Sequence, residues 1–165
     1  MNELLQSERS RSTPTPEQRR TWRLFLESAY ALIDLLDAEL QAERRMSLRW
    51  YDVLVQLDEA GAGIGMTDLA NRIICSKSGL TRVVDRMEEE RLVRRERLPT
   101  DRRAVHVVLT PHGAKALEAA REAHGRGIQE HFAQHLTARD LKALERALAK
   151  VRDHVRPLRP GRISG

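Results

Sequence analysis

The residues of this chain best suited to chemistry with a partner are small hydroxyls and cations gathered in one short stretch. Ser76, Lys77, Ser78, Thr81, Arg82 and Arg86 fall on one side of a segment whose other side carries Leu80, Val83, Val84 and Met87. Hydroxyls and an ammonium at a helix start suit phosphate, because the unpaired backbone N–H groups there favour anions. Guanidinium groups further along can grip phosphates or guanine edges with two donors each. Beyond them, Pro99-Thr100-Asp101-Arg102-Arg103 separates two extended runs, Leu92–Leu98 and Ala104–Leu109, and reads as the long charged tip of a hairpin. The competing view makes Arg82, Arg86, Arg94, Arg95 and Arg97 a solvated face balanced by Glu88, Glu89 and Glu90. It accounts for the helix but not for an Asp-Arg-Arg tip, so a polyanion-binding surface is the better reading.

Other reactive groups offer less. His124, His131 and His135 share one helical face, and His131 with His135 has the spacing for a metal ion. No third ligand lies near them in sequence, so they are read as solvated or interfacial, and no metal or other cofactor is expected. The run Gly61-Ala62-Gly63-Ile64-Gly65 follows a helical pattern rather than a strand. It is therefore a turn with a short extended piece, not a dinucleotide loop. Neither a Ser-His-Asp order nor paired cysteines nor a phosphate loop is present, and the chain is not expected to be an enzyme.

The elements that must position the basic surface can be read from caps and periodicity. Thr15-Pro16-Glu17-Gln18 has the form of a capping box with proline at the first helical position. Trp22, Phe25, Ala29, Leu32, Ile33, Leu36 and Leu40 then recur three and four apart to near Arg45. Ser47 caps a second helix bearing Trp50, Val53, Leu54 and Leu57, and Thr67 a short third one over Asp68–Ile73. Ser76 caps the helix with the basic face, expected from Lys77 to about Glu90. Thr110-Pro111 opens a helix through Leu117, Ala120, Ile128 and Phe132. Thr137 caps the last, whose Leu141, Leu144, Leu148, Val151 and Val155 form the seam of a coiled-coil-like contact.

Helix, helix and β-hairpin in succession across residues 67–109 make a winged helix-turn-helix. A helix fits the major groove, and a hairpin beside it reaches the backbone or the minor groove, where an arginine meets strong negative potential. The fold class expected is mainly α with a small β-hairpin wing, a winged helix-turn-helix with long helices at both ends. Residues 1–14 are expected to form a flexible arm, 15–46 a long helix and 47–110 the DNA-binding lobe. Residues 111–156 are expected to form the long connecting helix and the C-terminal helix, and 157–165 a disordered tail. A net charge of +5, almost all of it from arginine, suits this without requiring it. No apolar run reaches the length of a membrane span, and the first residues lack the apolar core of a signal peptide, so a cytoplasmic protein is expected.

Several fragments in this order resemble the MarR (multiple antibiotic resistance regulator) family. They are Asp68-Leu69-Ala70, the stretch Ser76 to Glu88, Leu92-Val93-Arg94-Arg95, Asp101-Arg102-Arg103-Ala104 and Leu109-Thr110-Pro111-His112-Gly113. The resemblance implies a homodimer in which 15–46 is a dimerisation helix intertwined with the C-terminal dimerisation helices of 111–156, binding double-stranded DNA as a transcription regulator. In the simplest form it is a repressor released from a palindromic operator by a small-molecule effector; an architectural protein binding DNA without sequence preference is the alternative. It carries the major-groove role onto Ser76, Lys77, Ser78, Thr81, Arg82 and Arg86. It gives Arg102 or Arg103 the minor-groove role, and Asp101 the part of bracing the wing. Ile74 departs from the pattern, since many members have glycine in this turn; the turn here must avoid a left-handed conformation or accept strain. Five of the six aromatic residues lie between Trp22 and Tyr51. By resemblance Trp22, Phe25, Tyr30, Arg49, Trp50 and Tyr51 are candidates to line a cleft for a small aromatic or phenolic effector. Cys75 stands where the family places an apolar residue and is read as buried packing.

Overall fold

The computed structural model describes residues 13–74, 78–98 and 101–155, with backbone alone at 98 and 101–104. Residues 1–12 of the expected arm, the tail, and Cys75, Ser76 and Lys77 lie outside the described residues. Helix α1 spans Pro16–Arg44, α2 Leu48–Ala60, α3 Met66–Arg72, α4 Leu80–Glu89, α5 Pro111–His131 and α6 Ala138–Val155. A 3-10 turn, Ala133–His135, lies between the last two. Strands β1 (Ile64–Gly65), β2 (Val93–Leu98) and β3 (Asp101–Leu109) form an antiparallel sheet in the order β1-β3-β2.

Four helices begin where the cap chemistry places them. The Gln18 N–H donates to Thr15 Oγ1 at 3.2 Å while the Thr15 N–H donates to Gln18 Oε1 at 2.8 Å, so two orphan donors are met reciprocally. Ser47 Oγ accepts from the Trp50 N–H at 3.2 Å, and Thr110 Oγ1 from the Gly113 N–H at 2.9 Å. Thr137 and Asp140 repeat the reciprocal arrangement at the start of α6.

Three local expectations are corrected. Helix α3 starts at Met66 rather than Asp68, with Gly65 in the cap position and Thr67 already inside the first turn. Gly65 is held extended by pairing with His106, so the chain passes from strand to helix without room for a separate cap. Helix α4 starts at Leu80 rather than Lys77, because Gly79 is left-handed (φ +70°) and a right-handed helix does not continue through that conformation. The hairpin tip is shorter than expected. Leu98 pairs with Asp101, so β3 begins at Asp101 and only residues 99 and 100 separate the strands, because pairing across the tip gives backbone groups there a partner. An irregularity between Glu96 and Leu98 absorbs the shift in register.

The chain forms two compact units, Met1–Leu35 and Leu36–Gly165, the boundary falling within α1. The first carries Trp22, Leu24, Phe25, Tyr30 and Ile33 exposed on the helix, with the rings of Trp22 and Phe25 5.9 Å apart. The second holds the core: Leu40, Val53, Leu54 and Leu57 meet Leu69, Ile73, Leu80, Val84, Met87, Val93, Val107 and Leu117. All three strands contribute to this cluster or border it, and the inward residues of α4 are its floor. Leu141, Leu148, Val151 and Val155 on α6 stay exposed, so the seam has no cover within the described residues. No helix among those residues is long and apolar enough to cross a membrane.

Candidate nucleic-acid interface

Helix α4 is split cleanly between two environments. Leu80, Val84 and Met87, four and three apart, are buried, and this registers the helix so that Thr81, Arg82 and Arg86 face solvent. No carboxylate among the described residues pairs with Arg82 or Arg86. Ser78 lies exposed in the turn just before the helix. The backbone of Asp101, Arg102 and Arg103 belongs to β3 at the free end of the hairpin. Ser76 and Lys77, expected on the same face of α4, lie outside the described residues.

Of the neighbouring arginines, Arg94 and Arg95 are committed elsewhere, whereas Arg97 is exposed. Arg95 on β2 donates to Glu88 Oε2 and to Asp85 Oδ1, each at 2.6 Å, and its backbone N–H donates to Glu88 Oε1 at 2.7 Å. Burial works against the Arg95 charge, but the hydrogen bonds to Glu88 and Asp85 outweigh it and hold the guanidinium pKa above its ordinary value. Arg94 pairs with Glu96 at 2.8 Å. The solvated-face view thus holds for Arg94 and Arg95, which bind strand to helix or strand to itself, and leaves Arg82 and Arg86 unaccounted for.

The base of the hairpin is anchored as firmly. Helix α4 ends in a Schellman arrangement: the Leu92 N–H donates to the Met87 carbonyl and the Arg91 N–H to the Glu88 carbonyl, both at 2.9 Å. Arg91 takes the left-handed position (φ 58°) usually given to glycine. The Thr110 hydroxyl donates to the Arg91 carbonyl at 2.7 Å, and the Thr110 N–H donates to the Leu92 carbonyl at 3.1 Å. Gly113 then passes so close that an added Cβ would meet the Leu92 oxygen at 2.0 Å. The Thr-Pro-His-Gly sequence therefore starts α5 and pins the wing at once.

Two residues that sequence reasoning did not assign to this surface hold the turn ahead of α4. Asp52 Oδ2 accepts from the Ile74 N–H at 2.6 Å, and the Arg49 guanidinium donates to the Ser78 carbonyl. Ile74 has no positive φ, so the turn avoids the left-handed conformation there; Gly79 adopts it instead. Partners 22 and 29 residues apart leave no local signal that could have revealed these contacts.

The other candidates are dispersed. Arg49, proposed for an effector cleft, is turned to the Ser78 carbonyl. Tyr51 packs its ring 4.7 Å from that of His124, and Trp50 is half-buried against the core. Trp22, Phe25 and Tyr30 belong to the first unit. A cavity of about 470 Å³ opens within the second unit, lined by Leu36, Glu39, Leu40, Glu43, His124 and Gly127 among others, and by none of the six expected residues. The three histidines part company: His131 bonds Glu39 at 2.6 Å, His135 lies against the Glu130 carbonyl at 3.0 Å, and His124 faces Tyr51.

A short helix pair followed by an anchored β-hairpin places this chain in the winged helix-turn-helix class of DNA-binding folds. A family model described as MarR family matches residues 46–105. The multiple antibiotic resistance protein MarR of Salmonella typhimurium is 31% identical over 101 residues, 61% of this chain and 69% of that protein. Across the sequence relatives it matches, the chain spans between 57% and 69% of their length. AbsC, a MarR family transcriptional regulator from Streptomyces coelicolor, is 34% identical with a TM-score of 0.79, covering 88% of this chain and 98% of its own. Sco3205 from the same organism, solved in complex with DNA, is 30% identical with a TM-score of 0.79, covering 87% and 90%. The chain belongs to the MarR family.

Proposed function

We propose that the chain is a homodimeric, sequence-specific regulator that reads double-stranded DNA with the exposed face of α4 and steadies it with the wing. The observation that carries this reading is the pair Arg82 and Arg86, exposed beside Thr81 and without carboxylate partners among the described residues, while Arg94 and Arg95 are paired. Ser76, Lys77 and Ser78 extend that face in sequence, and Arg102 or Arg103 supplies the minor-groove contact, with Asp101 bracing it. A relative of 30% identity bound to DNA supports the reading, and the uncovered apolar seam of α6 supports the dimer. Release from the site by a small aromatic or phenolic effector completes the proposal, with repression as the resting state.

Selection of bound duplexes from a random pool tests it. The expected outcome is one enriched near-palindrome whose half-sites lie about one helical turn, ~34 Å, apart. A pool that stays random while binding persists would instead make the protein an architectural binder. Phenolic acids added to the selected complex should release the DNA; a panel without effect overturns the effector part alone.

A further inference from the structure

The core holds Ile73 at the end of α3 and Leu80 at the start of α4, but neither Ile74 nor Ser78, the described residues just inside them. Ile73 is 1% exposed and Leu80 5%, whereas Ile74 is 82% exposed and Ser78 is exposed as well. Ile74 and Ser78 therefore contribute no core packing to the direction of α4. The described contacts that cross to it come from α2, the helix buried deepest at Val53, Leu54 and Leu57. Asp52 takes the Ile74 N–H and Arg49, one helical turn earlier, takes the Ser78 carbonyl. An acceptor and a donor from one rigid helix thus hold a donor and an acceptor that bracket the turn in sequence.

Asp52 is also the one buried charged side chain among the described residues, at 8% exposure. Burying a carboxylate is costly unless hydrogen bonds meet it, and an apolar residue there would be cheaper for stability alone. Its retained use is directional: a carboxylate fixes where an N–H points, which an apolar contact does not. Ile74, β-branched and without a positive φ, leaves the left-handed conformation to Gly79, so the hydrogen bond from Asp52 is what fixes the chain at the α3 end of the turn.

We propose that Arg49 and Asp52 are positioning residues for DNA recognition, setting the angle at which α4 meets the major groove and hence the sequence preferred. This rests on the DNA-binding reading above. Phosphate contacts tolerate small changes of angle, whereas two-pronged contacts to base edges do not, so loss of the clamp should fall on specificity.

The test compares the full-length wild type with Asp52→Ala, Asp52→Asn and Arg49→Gln on the selected duplex and on a scrambled one of equal length. Asp52→Ala should weaken the selected complex about tenfold, the worth of one charge-assisted hydrogen bond. Its affinity for scrambled DNA should stay within about twofold, since the phosphate-binding cations are untouched. Asp52→Asn, which keeps an acceptor, should recover part of the preference. Amide exchange provides a second readout: Ile74 should lose protection in Asp52→Ala while Val84 in the core keeps it. Should Asp52→Ala fail to fold, Arg49→Gln, which strands no buried charge, should show the same selective loss on a smaller scale. Equal weakening on both duplexes, or no weakening on either, overturns the clamp. A wild type without preference for any duplex refutes the DNA-binding reading before any variant is compared.

Discussion

Replacing Arg95 with methionine should loosen the wing from α4 while keeping most of the side chain's apolar stem. The guanidinium makes two charge-assisted hydrogen bonds of 2.6 Å, to Glu88 and Asp85, and its side chain is 25% exposed. Breaking a fully buried pair costs about 3–5 kcal/mol, and breaking an exposed one about 0–1. Both carboxylates remain more than a third exposed and are rehydrated when the cation leaves, which places the loss near ~1.5 kcal/mol. For a chain of this length that corresponds to a fall of about 3–6 °C in Tm. Thermal unfolding at one fixed protein concentration measures it, and the difference should narrow at high salt as the pair is screened. Glu88→Gln made on top of Arg95→Met should cost far less than Glu88→Gln alone, because the partner is already gone. An unchanged Tm for Arg95→Met, or full additivity in that cycle, would refute the claim that this bridge ties the wing to the helix.

Three further outcomes are expected. Gly113→Ala should destabilise by about 2–3 kcal/mol, since its Cβ would strike backbone atoms of Leu92 that no side-chain movement can clear; urea unfolding checks this. Burial lowers the His124 pKa below the ordinary value of about 6.5, so the unfolded chain binds this proton more tightly than the folded one. The stability contributed by neutral His124 is thus complete above about pH 6.5 and declines as pH falls towards the folded-state pKa. His124→Phe should flatten that decline in unfolding free energy measured from pH 7 to pH 5. Finally, Arg102→Ala should weaken binding to operator and random DNA alike, whereas Thr81→Ala or Arg82→Ala should relax sequence preference; a competition assay in which all three behave the same would sink the division between wing and helix.

What could be read in advance was whatever chemistry acts within a few residues. Thr15, Ser47, Thr110 and Thr137 announce their helices because a cap needs only its own first turn, and the inward faces of α2 and α4 follow from spacing alone. Boundaries that depend on distant partners escaped: Gly65 is committed to His106 across the sheet, which displaced the start of α3, and pairing of Leu98 with Asp101 shortened the wing tip. The roles of charged residues were hardest to see. Arg94 and Arg95 are indistinguishable from Arg82 and Arg86 by type, and only the fold shows which of them meet carboxylates. Asp52 carries no local signal of its role, because the Ile74 N–H whose hydrogen bond it accepts lies 22 residues further along the chain.

The bare apolar edge of α6 has a consequence for how much of this protein a cell can keep. In the proposed dimer that edge is covered by association, and the chain then survives longer as its own concentration rises, since association draws molecules away from the unfolded pool exposed to proteases. Abundance then feeds back on lifetime. When synthesis slows, the surviving amount should shrink by more than the drop in production, making the switch between presence and absence sharper than gene dosage alone would dictate.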